Sequence, residues 1–278
     1  MKLDKNLVLK EVKNALAEDI GRGDVSAMLL PEKLETKAEI INREPMLLSG
    51  RAWVEASFQL VDASIKIEWF FEEGAYIEKP GKLCQIKGPA RAILTAERTA
   101  LNFLQTLSAT ATQTYQYLQC LKGLSTKLLD TRKTLPGLRL AQKYAVATAG
   151  GTNHRIGLFD AYLIKENHIR VAGSIKKAIA EARHLNKTIF LEIEVESLAE
   201  LKEALEDMPD RILLDNFNLD MLKEAVLINK DFGCQLEASG GVDLSTIRAI
   251  AETGVDFISV GSITKSIKAI DLSLLVSL

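Results

Sequence analysis

The spacing of apolar positions changes twice along this chain, and each change marks a different kind of element. Over residues 6–18, Leu7, Val8, Val12, Ala15 and Leu16 recur at helical spacing and predict an amphipathic helix. From Lys37 to Lys87 the pattern turns to short β-type runs at 38–41, 65–70 and 83–86, punctuated by Pro45, Gly50, Gly74, Pro80-Gly81 and Gly88-Pro89. Short strands separated by turns predict a small antiparallel sheet. With the first helix and a second over about 53–60, it makes an α+β N-terminal domain. A long helix then begins near Thr95 and could reach Leu121, with Leu101, Leu104, Leu107 and Leu118 as its stripe and Gly123 at its end. Its residues 108–113 are small and polar, which permits close packing against another element.

After Gly123 short apolar runs alternate with amphipathic stretches. Strands are predicted over 127–130, 161–165, 188–195, 211–215, 235–238 and 256–260, with helices over 137–148, 174–185, 197–206, 219–229 and 244–252. That β/α rhythm predicts a parallel sheet, since parallel neighbours need crossover connections. Six strands fall short of the eight of a complete (β/α)8 barrel. The domain boundary falls in or near the long helix, and the apolar tail after Lys265 packs as a last helix or strand.

Composition narrows the class. A chain of 278 residues with 47% hydrophobic and 26% charged residues has the length and make-up of a globular protein of one or two domains. Cys84, Cys120 and Cys234 are far apart and form no CxxC pair, which argues against a disulfide framework or a structural zinc site. The first 21 residues are amphipathic and contain acids, unlike a signal or transit peptide. No apolar run approaches the ~20 residues that span a bilayer, so the expectation is a soluble, cytoplasmic protein without a membrane partner. Net charge is only -2, yet from Asp130 to Arg170 there are seven Lys or Arg against three acids. A local cationic patch on a near-neutral chain fits a small polyanion better than nucleic acid, which favours a broad basic surface.

The residues after each predicted strand carry the candidate chemistry. In order they are Asp130-Thr131-Arg132-Lys133, Lys165-Glu166-Asn167, Glu194-Val195-Glu196, Asp215-Asn216, Ser239-Gly240-Gly241 and Gly261-Ser262. In parallel α/β folds the carboxyl ends of the strands are where sites form. Ser239-Gly240-Gly241 and Gly261-Ser262 would expose backbone N–H groups to a phosphate near helix N-termini, or merely turn the chain. Glu194 and Asp215, on consecutive strands, can hold Mg²⁺ through carboxylate oxygens. Glu192, Glu194 and Glu196 share one strand face; if Leu191, Ile193 and Val195 pack under the helices, the acids line the interior and need buried cations. Arg132, Lys133, Arg155 and Lys165 are the natural partners of carboxylate or phosphate. His154 either joins them or caps its own loop, and His168 anchors the loop after Lys165. One rival is a Schiff-base aldolase using Lys165 as nucleophile, and another is a non-enzymatic anion-binding module.

At these residues the chain resembles the quinolinate phosphoribosyltransferases of NAD biosynthesis. The likeness rests on EDIGRGD at 18–24, GPARAILTAERTALNFLQ at 88–105, DTRKTLPGLR at 130–139 and NHRIGLFDAYLIKENHI at 153–169, then EIEV, LLDN, EASGG and ISVGSIT. The resemblance implies an α/β protein in which an incomplete parallel α/β barrel (109–266) follows an N-terminal α+β sandwich domain (1–108), with a tail from about 267 to 278 that returns to the first domain. It implies phosphoribosyl transfer from phosphoribosyl pyrophosphate to quinolinate with Mg²⁺, giving nicotinate mononucleotide, pyrophosphate and CO2. It also implies a homodimer, or higher homo-oligomer, with shared active sites. Carried over by position, Arg98 matches an arginine lent by the partner subunit. Thr131, Arg132, Lys133, His154, Arg155 and Lys165 match the substrate pocket. Glu194 and Asp215 match the acids near ribose and metal, and with Lys133 and Lys165 form the expected catalytic set. Ser239, Gly240, Gly241, Val260, Gly261 and Ser262 match the loops that hold the 5′-phosphate. Thr106, Ala109-Thr110, Ala147-Thr148-Ala149 and Lys265 depart from the common pattern. A sister pyrophosphorylase with another acceptor base is the nearest alternative.

Overall fold

The computed structural model describes residues 3–277. Contacts divide the chain into two compact units, Met1–Tyr115 with Leu135–Gly150 and Ile263–Leu278, and Gln116–Thr134 with Gly151–Ser262. The elements of the first stretch are α1 (Lys5–Ile20), β1 (Glu35–Asn42), β2 (Met46–Leu47), α2 (Arg51–Val61), β3 (Lys66–Trp69), β4 (Tyr76–Ile77), β5 (Gly81–Pro89) and α3 (Ala90–Cys120). Asp4 caps α1, its carboxylate accepting the Asn6 N–H at 2.9 Å, and Val8, Val12 and Leu16 form the buried stripe that the spacing predicts. The small polar run in α3 has a specific use. Ser108 Oγ accepts the Ser49 N–H and donates to the Ser49 carbonyl, both at 3.1 Å, while Thr112 Oγ1 accepts the Leu47 N–H at 2.8 Å. Hydroxyls satisfy the buried main chain of residues 47–49 where larger side chains would hold it off.

The later elements are β6 (Lys127–Leu129), α4 (Arg139–Thr148), β7 (Ala161–Ile164), α5 (Glu166–Ala172), α6 (Ile175–Leu185), β8 (Phe190–Val195), α7 (Leu198–Glu206), β9 (Arg211–Asp215), α8 (Leu219–Asn229), β10 (Gln235–Ser239), α9 (Ile247–Ala251), β11 (Phe257–Ser259), α10 (Ser262–Lys265) and β12 (Leu272–Ser277). Six strands form one parallel sheet in the order β6-β11-β10-β9-β8-β7. The two edge strands, β6 and β7, are not neighbours, so the barrel is incomplete. Along β8 all but the first residue is buried, including Glu192 and Glu194. Both faces of the strand are covered, as in a parallel sheet enclosed by helices.

The tail returns to the first unit, where β12 pairs antiparallel with β1 and the sheet runs β12-β1-β5-β3. Helix α4 also packs there, its Ala141 and Ala145 in a cluster with Val12, Trp53 and Phe103. Periodicity shows the apolar stripe of α4 but not what covers it. Helix α5 was not anticipated: it has seven residues and none is buried, so it carries no apolar signal. The helix expected at 244–252 begins only at Ile247. The Asp243 carboxylate accepts the Ser245 and Thr246 N–H groups at 2.8 and 3.0 Å and holds the preceding residues in a turn. Among the described residues no helix is long and apolar enough to cross a membrane.

Candidate active site

The carboxyl ends of the six parallel strands open on a cavity of about 530 Å³ lined by Thr131, Arg132, Lys133, His154, Arg155, Lys165, Glu194, Asp215 and Ser239 among others. That volume lies in the range of small-molecule sites. The segment after Gly151 assembles its cationic wall. Thr152 docks on the free edge of β6, donating its N–H to the Leu128 carbonyl at 2.9 Å and accepting the Asp130 N–H at 3.2 Å. Asp130 is fully buried and accepts from Asn153 Nδ2 at 2.6 Å and the His154 N–H at 2.8 Å. Arg155 then reaches across to β7, donating from Nη1 to the Ala161 carbonyl at 3.2 Å. Residues 152–155 thus bridge the strands between which the barrel is open. Burial and then the nearby Arg132 push the pKa of Arg155 down, opposed by Glu192 and Asp160. Two guanidinium groups that repel each other at a cavity wall form a receptor for more than one negative charge.

Just past the end of β7, Lys165 Nζ pairs directly with Glu194 Oε2. Asp215 is half-buried and accepts from Asn216 Nδ2 at 2.7 Å. At the end of β10, Gly240 has φ +99° and Gly241 φ +61°. A Cβ at Gly240 would lie 2.1 Å from Asn216 Oδ1, so this glycine brings its loop against the end of β9. At the end of β11, a Cβ on Gly261 would lie 3.0 Å from Lys133 Cδ and 3.4 Å from Thr131 Oγ1. Buried Val260 donates its N–H to the Leu129 carbonyl at 3.0 Å, and Ser262 Oγ lies 3.2 Å from Tyr117 Oη. The Gly261 turn lies against Thr131 and Lys133 and the Gly240 turn against Asn216, but the helical part of the expected phosphate cradle is weak: α9 starts late and α10 is a single turn. Arg98 is an exposed residue of α3 in the first unit. His168 Nδ1 accepts the Lys165 N–H at 3.0 Å and so anchors the turn into α5.

Beneath the cavity lies a buried charged cluster that sequence reading found only in part. His154 turns its ring inward. Nε2 is 3.0 Å from Glu192 Oε2 and 3.5 Å from Glu237 Oε2, while Nδ1 accepts the Arg155 N–H at 2.7 Å. Arg211, at the other end of β9, donates from Nη1 to Glu237 Oε2 at 3.1 Å, with its guanidinium 3.9 Å from the Phe257 ring centroid. Glu237 and Arg211 were not among the candidates. The available signal was an acid inside the buried run of β10 and an arginine at the start of β9. Burial raises the pKa of both Glu192 and Glu237, and for Glu237 the Glu192 charge adds to it. His154, Ser259 and Arg211 oppose, leaving Glu237 at about 7. A carboxyl that binds its proton more tightly folded than unfolded stabilises the fold below its unfolded pKa and loses that contribution as pH rises through its folded value. Stability should therefore fall between pH 4.5 and about 7, by roughly 3 kcal/mol at about 1.4 kcal/mol per pH unit. Glu237→Gln should flatten this fall in urea denaturation across that window, and an unchanged slope would show that Glu237 does not titrate there.

An incomplete parallel barrel whose strand ends gather cations, two carboxylates and glycine loops defines an enzyme that handles multiply charged anions and phosphates. The comparisons narrow the class. The model of the quinolinate phosphoribosyl transferase C-terminal domain matches residues 110–275 and that of its N-terminal domain residues 24–108. The chain is 43% identical to the nicotinate-nucleotide pyrophosphorylase (carboxylating), chloroplastic, of Oryza sativa subsp. japonica, over 96% of this chain and 77% of that protein. It is 37% identical to the probable nicotinate-nucleotide pyrophosphorylase (carboxylating) of Bacillus subtilis, over 98% and 95%. Its fold superposes on the nicotinate-nucleotide pyrophosphorylase of Francisella tularensis with TM-score 0.96 at 49% identity, covering 99% of this chain and 98% of that one. The chain belongs to the quinolinate phosphoribosyltransferase family. It is an enzyme of that decarboxylating type, and the family uses quinolinate and phosphoribosyl pyrophosphate as substrates.

Proposed function

We propose that the cavity at the strand ends binds quinolinate against Arg132 and Arg155, with Lys133 and Lys165 meeting the remaining carboxylate and phosphate charge. The observation that carries this reading is that Arg132 and Arg155 line one cavity with Lys133 and Lys165, a cluster of cations that a dicarboxylate and phosphates would pair. The pyridine nitrogen attacks the anomeric carbon of phosphoribosyl pyrophosphate as the bond to pyrophosphate breaks. Glu194 and Asp215 supply negative charge beside the developing ribosyl cation. The alkylated ring nitrogen is then cationic and stabilises the carbanion left at C2 when the 2-carboxylate departs as CO2. Protonation of that carbon gives nicotinate mononucleotide. No organic cofactor is required, because the substrate's own quaternised nitrogen supplies the charge that stabilises the C2 carbanion. The glycines of 239–241 and the main chain of 260–262 receive the 5′-phosphate.

Mg²⁺ fits the donor set. It takes one or two carboxylates and completes its shell with water and substrate phosphates. Glu194 keeps one oxygen clear of its Lys165 pair, and Asp215 is half-buried at the neighbouring strand end. Bound by these two acids, the ion would neutralise charge on the departing pyrophosphate. The Lys165–Glu194 ion pair also weakens the aldolase alternative, since a Schiff-base lysine needs its free amine. Formation of nicotinate mononucleotide from quinolinate, phosphoribosyl pyrophosphate and Mg²⁺ tests the reading directly, and no product from folded protein sinks it.

The chain acts as a homo-oligomer with shared sites on this reading, Arg98 of one subunit serving the barrel of another. Exposure of Arg98 on α3 and its place in the family motif support this. Mixing Arg98→Ala with Lys133→Ala protein, each inactive alone, should restore part of the activity, since one kind of hybrid site regains both groups. No recovery from demonstrably mixed oligomers overturns sharing.

A further inference from the structure

The His154 imidazole is approached at both ring nitrogens: Nε2 lies 3.0 Å from Glu192 Oε2 and 3.5 Å from Glu237 Oε2, neither Glu192 oxygen having a hydrogen-bond partner, and Nδ1 accepts the Arg155 N–H. Its side chain is 8% exposed, and the Glu192 and Glu237 side chains are 1% and 0% exposed. A ring engaged at both nitrogens is poorly placed to donate to a substrate carboxylate, yet it is bonded to the main chain from which Arg155 enters the cavity wall. The acids come from β8 and β10, on either side of β9, and Arg211 of β9 fixes Glu237 from below. Barrel interiors are ordinarily filled by branched apolar side chains, and buried carboxylates are costly unless paired. Two of them converging on one imidazole call for a role beyond filling space.

We propose that Glu192 and Glu237 are positioning residues for the transfer reaction. From inside the barrel they hold the His154 ring, and through its Nδ1 they fix the main chain on which Arg155 meets quinolinate. His154 is then a strut between the barrel interior and the substrate arginine. Asp130 secures the same segment independently, through the His154 N–H and Asn153 Nδ2. Losing the strut therefore loosens Arg155 without releasing the segment. The proposal rests on the assignment of this strand end as the quinolinate site.

A double-mutant cycle on the full chain tests it, with quinolinate varied at saturating phosphoribosyl pyrophosphate and Mg²⁺. His154→Ala and Glu192→Leu should each raise KM for quinolinate about tenfold, and the double variant about as much as the larger single change. Glu192→Gln keeps an acceptor at the same reach and should recover much of the loss, whereas Glu192→Met, of similar length without an acceptor, should not, and a role in packing volume alone does not separate the two. KM for phosphoribosyl pyrophosphate should move less than KM for quinolinate. Thermal unfolding monitors each variant. Should Glu192→Leu fail to fold, Glu192→Met takes its place in the cycle, with a rise expected on the wild-type background and no further rise on the His154→Ala background. Multiplying effects, or a Glu192→Leu variant with KM within about twofold of wild type, overturn the proposal. In those cases wild type still makes product, so the functional assignment survives. A wild type that does not turn over quinolinate overturns both.

Discussion

With nicotinate in place of quinolinate, kcat/KM is expected to fall by roughly two to three powers of ten or more. Burial and the charge of Arg132 push the pKa of Arg155 down, so the cavity wall already carries repulsion between two cations. Quinolinate brings two adjacent carboxylates, one for each region of positive charge. Nicotinate lacks the 2-carboxylate and leaves part of that charge unpaired in a partly desolvated cavity. An unpaired buried charge costs about 3–5 kcal/mol, which sets the expected discrimination. The 2-carboxylate is also the group lost as CO2, so on the proposed binding mode the contact that selects the substrate would also orient the bond that breaks. The measurement is kcat/KM for both compounds at identical Mg²⁺ and phosphoribosyl donor concentrations. Comparable values, or a preference for nicotinate, would move the chain to a sister activity.

Removing either strand-end acid should cost kcat about as heavily. Glu194→Ala and Asp215→Ala are each expected to lower kcat by roughly two to three powers of ten, the loss typical when one preorganised electrostatic group is deleted from a site. The two should differ in their side effects. Glu194 is buried and paired with Lys165, so its removal also strips a lysine of its partner and should lower thermal stability. Asp215 is half-buried, with an Asn216 amide as neighbour, and its removal should leave stability nearly unchanged. Steady-state rates at saturating Mg²⁺, alongside melting temperatures, separate the contributions. Near-wild-type kcat in both variants would remove these acids from the reaction.

The parallel sheet was legible because its strands are short apolar runs separated by amphipathic stretches, a pattern that local chemistry writes directly. The same pattern marked the strand ends, and with them Arg132, Lys133, Lys165, Glu194 and Asp215, while Arg155 stood out in the polar cluster after Gly150-Gly151; the structure brings all six to one cavity. Helix α5 escaped notice because it buries nothing, and the packing of α4 against Val12, Trp53 and Phe103 was not legible because an apolar stripe does not name its cover. The direction of the His154 ring was beyond the sequence. It depends on Glu192 and Glu237, acids on strands that meet only once β9 lies between them. Glu237 read alone is one polar residue in a strand, and Arg211 one charge at a strand start. Periodicity and motif thus determined which side chains face the strand ends. Only the tertiary structure decided which of them are held from beneath, because burial and long-range pairing set the charge and orientation of a buried group, and neither is a property of neighbours in sequence.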